Sequence, residues 1–297
     1  MREFDGAVLF VDILGISALT TTASPLVSQV DFDALNAKTG ASGGNQLYCA
    51  NLLSKFRRNL TNCESRNLKI AQLSDCAFLW SQDSRLVVRA AQALFLKNIE
   101  TGVFARGGMT FGQIIEPEKT RKSLGQFVCG EAVTRAAKLE GTGKGARIFI
   151  DREIGGQQIL GLSPRAFEGL PNPSNYRVVD EFLWFSCPAE TENAAEKINR
   201  VRKIIDLIGK FKHAPTLRWN AASFAGRVHL GATVERLSVE VKKLCHEEAY
   251  SEPHFALQTS ELFQELYQDG EYVLEELNKF ENKADRWYHS NSGRLQP

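Results

Sequence analysis

An apolar run near the start of the chain, AVLFVDILGI over residues 7–16, is interrupted at a single position by a carboxylate, Asp12. Its density of Val, Leu, Phe and Ile predicts a buried strand over 7–13, with Gly15 as a tight exit. A second acid, Asp75, falls between two short apolar runs, LKIAQL and CAFLW. Two strands meeting in a tight hairpin at that residue fit residues 68–80 best.

The elements around these acids define a layer. The segment 20–45, rich in Ser, Thr, Ala and Gly, reads as an irregular excursion leading into a helix over 46–60. A stripe of Leu86, Val87, Ala90, Ala91, Leu94 and Phe95 predicts a helix over 84–100 that Gly102 can end. Further strands are expected over 103–115, 126–129, 147–150 and 176–185, with a helix over 130–139. This order predicts an α+β fold, a ferredoxin-like or palm-type layer with a mainly antiparallel sheet. After Ser186 the composition turns helical, over 189–208, 230–248 and 257–280. A boundary near Pro188 would divide a unit 1–187 from a helical C-terminal extension, 188–297, whose helices can also pack back on the first unit. Trp219, Trp287 and the aromatic segment 280–288 read as packing anchors.

Lys and Arg number 36 against 35 Asp and Glu, a net charge of +1. That balance gives no broad field for DNA or RNA and favours a free nucleotide over a long polymer. No stretch reaches the roughly 18 apolar residues of a membrane span, and no signal-cleavage pattern follows the N-terminal run. Cys49, Cys63, Cys76, Cys129, Cys187 and Cys245 lie far apart without CxxC spacing, as expected of reduced thiols in a cytoplasmic protein.

In a palm-type sheet the strands carrying Asp12 and Asp75 can be neighbours, which would bring two hard oxygen ligands together for Mg²⁺ or Mn²⁺. Spacing alone leaves open a pair of exposed turn aspartates. Backbone N–H groups of residues 13–17, around Gly15 and Ile16, can contact phosphate, although Gly15 is equally a structural turn residue. Arg106, Arg135, Lys138 and Lys144 are candidate phosphate-binding cations, and each is also a candidate for an ordinary solvated or salt-bridged group.

Four segments together resemble the class III adenylate and guanylate cyclase domain: VLFVDILGIS (8–17), QLSDCAFL (72–79), ARGGMTFGQI (105–114) and FVCGEAVTRAAKLE (127–140). KGARIFID (144–151) resembles the family's next strand, and the likeness spans roughly residues 5–185. The resemblance implies a homodimer with sites between subunits and metal-binding roles for Asp12 and Asp75. It also implies a backbone carbonyl contribution from Ile13, and with it the chemistry of two Mn²⁺ or Mg²⁺ ions activating a ribose hydroxyl against a triphosphate.

The departures from the pattern sharpen the expectation. Ala71 and Phe127 stand where the family places its base-reading Lys and Asp, making them the base-pocket candidates, with core filling as the other role for Phe127. Thr134 and Lys138 replace a transition-state Asn and Arg. This combination resembles the bacterial pyrimidine cyclases of anti-phage signalling. It implies a uridylate cyclase converting UTP to cyclic UMP as an antiviral messenger for a separate effector. The alternatives are a cytidylate cyclase, a purine nucleotide cyclase, and a non-catalytic nucleotide-binding or interaction dimer.

Overall fold

A computed structural model of the chain describes residues 1–22, 24, 26–30, 33, 44–119, 126–151, 164–171, 178–186 and 193–247, together with 275 and 279. The first unit begins with strand β1 (Arg2–Ile13) and the short helix α1 (Ile16–Thr21). Helix α2 (Asn45–Thr61), strands β2 (Lys69–Leu73) and β3 (Cys76–Ser81), and helix α3 (Ser84–Thr101) follow. Strand β4 (Ala105–Glu116), helix α4 (Glu131–Glu140) and strands β5 (Ile148–Asp151), β6 (Phe167–Pro171) and β7 (Val178–Phe182) complete the sheet unit.

The strands form one sheet in the order β2-β3-β1-β4-β5-β7-β6. Every pairing is antiparallel except β4 with β5. This is the mainly antiparallel α+β arrangement predicted from the element order. Two differences are local. The strand expected over 126–129 is reduced to a bridge between Cys129 and Ile115, and β6 has no counterpart among the predicted strands.

Alternation along β1 divides the core. Ala7, Leu9, Val11 and Ile13 face the main cluster, with Leu52 and Phe56 of α2 and Leu94 and Phe95 of α3. Val8 faces the other side, where it meets Trp80, Ile114, Ala132 and Ala136. Helix α3 starts where the Asp83 side chain accepts the Arg85 N–H at 3.1 Å, a cap that stabilises a helix by about 1 kcal/mol.

The second region consists of α5 (Ala194–His213), α6 (Pro215–Arg218), a 3₁₀ turn (Trp219–Ala222) and α7 (Phe224–Glu247). Helix α5 opens with reciprocal hydrogen bonds between Asn193 and Glu196, the capping-box arrangement. Ile204, Leu207 and Phe211 belong to the same buried cluster as Leu9 and Phe95, and the Phe211 ring lies 5.6 Å from that of Phe104. The helices therefore pack back onto the sheet. Residues 187–192, where the boundary near Pro188 was expected, lie outside the described residues. So do Trp287, the segment 280–288 and most of the helix expected over 257–280, of which Glu275 and Lys279 are described and helical.

Candidate metal centre

Asp12 stands one residue from the end of β1, in register with Cys76 of β3 on one side and Arg106 of β4 on the other. The hairpin joining β2 to β3 closes with Leu73 opposite Cys76, leaving Ser74 and Asp75 as its two-residue turn. Ser74 takes the left-handed conformation, φ 62°, which such tight hairpins require and which few side chains accept readily. The Gln72 amide donates to the Ser74 carbonyl at 2.8 Å, and the Ile13 N–H donates to the Asp75 carbonyl at 3.0 Å. These bonds tie the turn to the end of β1. As a result, one ligand atom each from Asp12, Asp75 and Cys76 lies within 4.8 Å of the others, all three residues being partly buried.

The electrostatics distinguish the three groups. Burial pushes the Asp12 carboxyl up to about 7, with Glu140 and then Asp75 adding to the rise, against the pull of Arg106 and the Ile13 N–H. Burial and the neighbouring Asp12 and Asp75 push the Cys76 thiol up to about 11. Its Sγ donates to the Leu73 carbonyl at 3.2 Å, so at neutral pH Cys76 is a thiol and a poor ligand. Two carboxylates held together in partial burial form a hard oxygen donor set that fits Mg²⁺ or Mn²⁺. Cys49, Cys63, Cys76 and Cys129 are all free.

Arg106 is held rather than free. Its Nε donates to Glu140 at 2.6 Å and its NH1 to the Gly143 carbonyl. Glu140, the last residue of α4, reaches this position because α4 sinks onto β4 at Gly108. A Cβ at Gly108 would stand 2.1 Å from the Ala136 carbonyl oxygen and 2.6 Å from the Glu140 nitrogen. Arg135 is likewise committed, to Glu131 at 2.9 Å and to Asp151. Lys138 and Lys144 are exposed, and neither makes an ion pair among the described residues. Thr134 is exposed and its hydroxyl donates to the Gly130 carbonyl at 3.3 Å.

The Ile13 and Ile16 side chains point into the core, 2% and 8% exposed. Gly15 between them has φ +88°, a conformation that glycine adopts without steric cost. Ala71 is buried. Phe127 is 53% exposed and so does not fill the core.

Neither protein-family models nor curated proteins match the chain. Several solved structures are similar. The guanylyl cyclase Cya2 shares 13% identity over 61% of this chain and 91% of its own, with a TM-score of 0.41. The guanylate cyclase domain of RhGC from Catenaria anguillulae, in complex with GTP, shares 15% over 61% and 97%, TM-score 0.41. The adenylyl cyclase CyaB from P. aeruginosa shares 14% over 61% and 95%, TM-score 0.40.

These names are of purine cyclases, and none is a pyrimidine cyclase. The expectation of a uridylate or cytidylate cyclase producing an antiviral messenger is corrected on that ground. Among the described residues, no helix is long and apolar enough to cross a membrane.

Proposed function

We propose that the chain is a metal-dependent nucleotide cyclase of class III type, acting as a homodimer on a purine nucleoside triphosphate. The observation that carries this reading is the convergence of Asp12 and Asp75, 63 positions apart in sequence, beside a backbone turn at Gly15. In the proposed reaction the ribose 3′ oxygen forms a bond to the α-phosphorus and gives up its proton to solvent. The bond from that phosphorus to the β-phosphate oxygen breaks, releasing pyrophosphate and leaving a cyclic nucleotide.

Asp12 and Asp75 would hold the cations, with the Ile13 carbonyl as a further ligand. Bound there, two Mg²⁺ or Mn²⁺ ions would supply Lewis acidity toward the sugar hydroxyl and the phosphate oxygens. Lys138 and Lys144, having no ion-pair partner among the described residues, are the cations available to the triphosphate. Arg106 and Arg135 are spent on carboxylates of the chain, and their role is to fix α4 and the loop after it. The Thr134 hydroxyl offers a hydrogen bond, and the exposed ring of Phe127 offers a stacking face whose contact grows with the area of the base.

The test is direct. Protein incubated with ATP or GTP and Mn²⁺ is expected to yield a cyclic purine nucleotide and pyrophosphate, resolved by mass spectrometry. Asp12→Ala and Asp75→Ala are expected to reduce product to background with unchanged hydrodynamic size. Tight Mn²⁺-dependent nucleotide binding without product would replace this reading with that of a binding dimer.

A further inference from the structure

Two loops flank the Asp12 carboxylate, and the C-terminal helices touch both. The first is the Gly15 turn. A Cβ on Gly15 would stand 2.8 Å from the Trp219 ring and 3.3 Å from Asn220 Oδ1, so this turn lies directly against the 3₁₀ segment that follows α6. Trp219 is itself wedged edge-on against Tyr48 of α2, ring centroids 5.6 Å apart. Asn220 Nδ2 donates to the Leu217 carbonyl at 2.9 Å, while its Oδ1 is buried with no hydrogen-bond partner among the described residues.

The second loop runs from Gly141 to Ala146, and α7 grips it. The Gly145 N–H donates to His229 Nδ1 at 3.0 Å, and the Ala146 N–H donates to the Thr233 hydroxyl at 2.8 Å. That hydroxyl donates in turn to the His229 carbonyl at 2.8 Å. The same loop presents the Gly143 carbonyl to Arg106, whose other nitrogens hold Glu140 beside Asp12. One continuous set of contacts thus leads from α7 through the loop to Arg106, and a separate contact leads from Trp219 to the turn that follows Asp12.

We propose that Trp219 and Thr233 are positioning residues through which the C-terminal helices set the geometry of the Asp12–Asp75 metal site. The inference rests on the metal-site reading above. It makes the helical region a working part of the site.

The test uses the full chain and its variants Trp219→Leu, Thr233→Val and Thr233→Ser, each titrated with Mn²⁺ well below its own unfolding midpoint and assayed for cyclic nucleotide. Residues that act on a site through intervening contacts commonly change it by about 2- to 30-fold. Trp219→Leu and Thr233→Val are each expected to weaken Mn²⁺ binding by about tenfold, and Thr233→Ser, which keeps the hydroxyl, to restore it. Folded Trp219→Leu and Thr233→Val proteins with wild-type Mn²⁺ affinity would overturn the inference. If Trp219→Leu does not fold, the nearly isosteric Thr233→Val with its Ser rescue decides the question. A wild-type chain that binds Mn²⁺ yet makes no product sinks the cyclase reading alone, with the Mn²⁺ titration still deciding this inference. A wild-type chain that binds no Mn²⁺ overturns both.

Discussion

The two ends of the same four strands handle buried negative charge in opposite ways. At the end away from Asp12, Glu116 is 1% exposed and fully attended. Lys69 donates to it at 2.6 Å, the Trp80 indole N–H donates at 2.7 Å, and Arg2 stands 3.7 Å away. Arg2, Lys69 and Trp80, with Glu116, also line a cavity of ≈ 410 Å³ there. At the other end, Asp12 faces both Asp75 and Glu140, and the nearby guanidinium of Arg106 is already divided between Glu140 and Gly143. A carboxylate supplied with its own donors holds the fold together. A pair left short of positive charge can accept a cation from outside.

The comparison breaks if the attended acid proves dispensable. Removing Glu116 leaves the buried Trp80 indole N–H without its acceptor while the part-exposed Lys69 and Arg2 turn to water, so Glu116→Ala is expected to cost up to about 3 kcal/mol, measured by urea unfolding. Little change in the midpoint would make Glu116 as replaceable as a surface acid. Next in size is the response to metal. Mn²⁺ at about a hundred times its dissociation constant should stabilise the wild-type chain by roughly 2.7 kcal/mol, raising its melting temperature. Asp12→Asn should show no such rise.

Protons and metal compete for Asp12. Its carboxyl sits at about 7 when folded, against about 3.9 in an unfolded chain. Between those values the folded state holds the extra proton, so this group's contribution to metal-free stability is present at low pH and is lost as pH rises toward 7. Metal binding needs the carboxylate, and Mn²⁺ affinity should therefore gain about tenfold from pH 6 to pH 8. A flat profile by calorimetry would remove the electrostatic contrast between the two ends. The smallest expected effect is at Arg2, whose side chain is 49% exposed. Arg2→Ala should cost no more than about 1 kcal/mol, and a larger loss would show that Glu116 depends on both cations.

Asp12 and Asp75 were legible in the sequence because each interrupts an apolar run at a position where a strand must end. Helices α2 and α3 were legible from their stripes, α5 and α7 from composition and the antiparallel layer from the order of elements, whereas the short helices α1 and α6 carry no such pattern. What stayed hidden depends on contacts that leave no local pattern. Glu140 enters the site only because Gly108, on a different element, has no side chain to keep α4 away. Trp219 could be read as a packing anchor, but not as one seated on Gly15. His229 and Thr233 sit in an ordinary helical sequence, and their partners, Gly145 and Ala146, lie more than 80 positions earlier. The four basic residues proposed for phosphate had equal standing until geometry committed Arg106 and Arg135 to acids of the chain.

The buried cluster that holds both Leu9 and Leu244 has a consequence for transplantation. Grafting another protein's helices after residue 193 would leave Phe104 and Phe95 facing surfaces that did not co-develop with them. Heating should correspondingly melt sheet and helices in one calorimetric peak. The sheet and the helices over 194–247 would then have to be exchanged together.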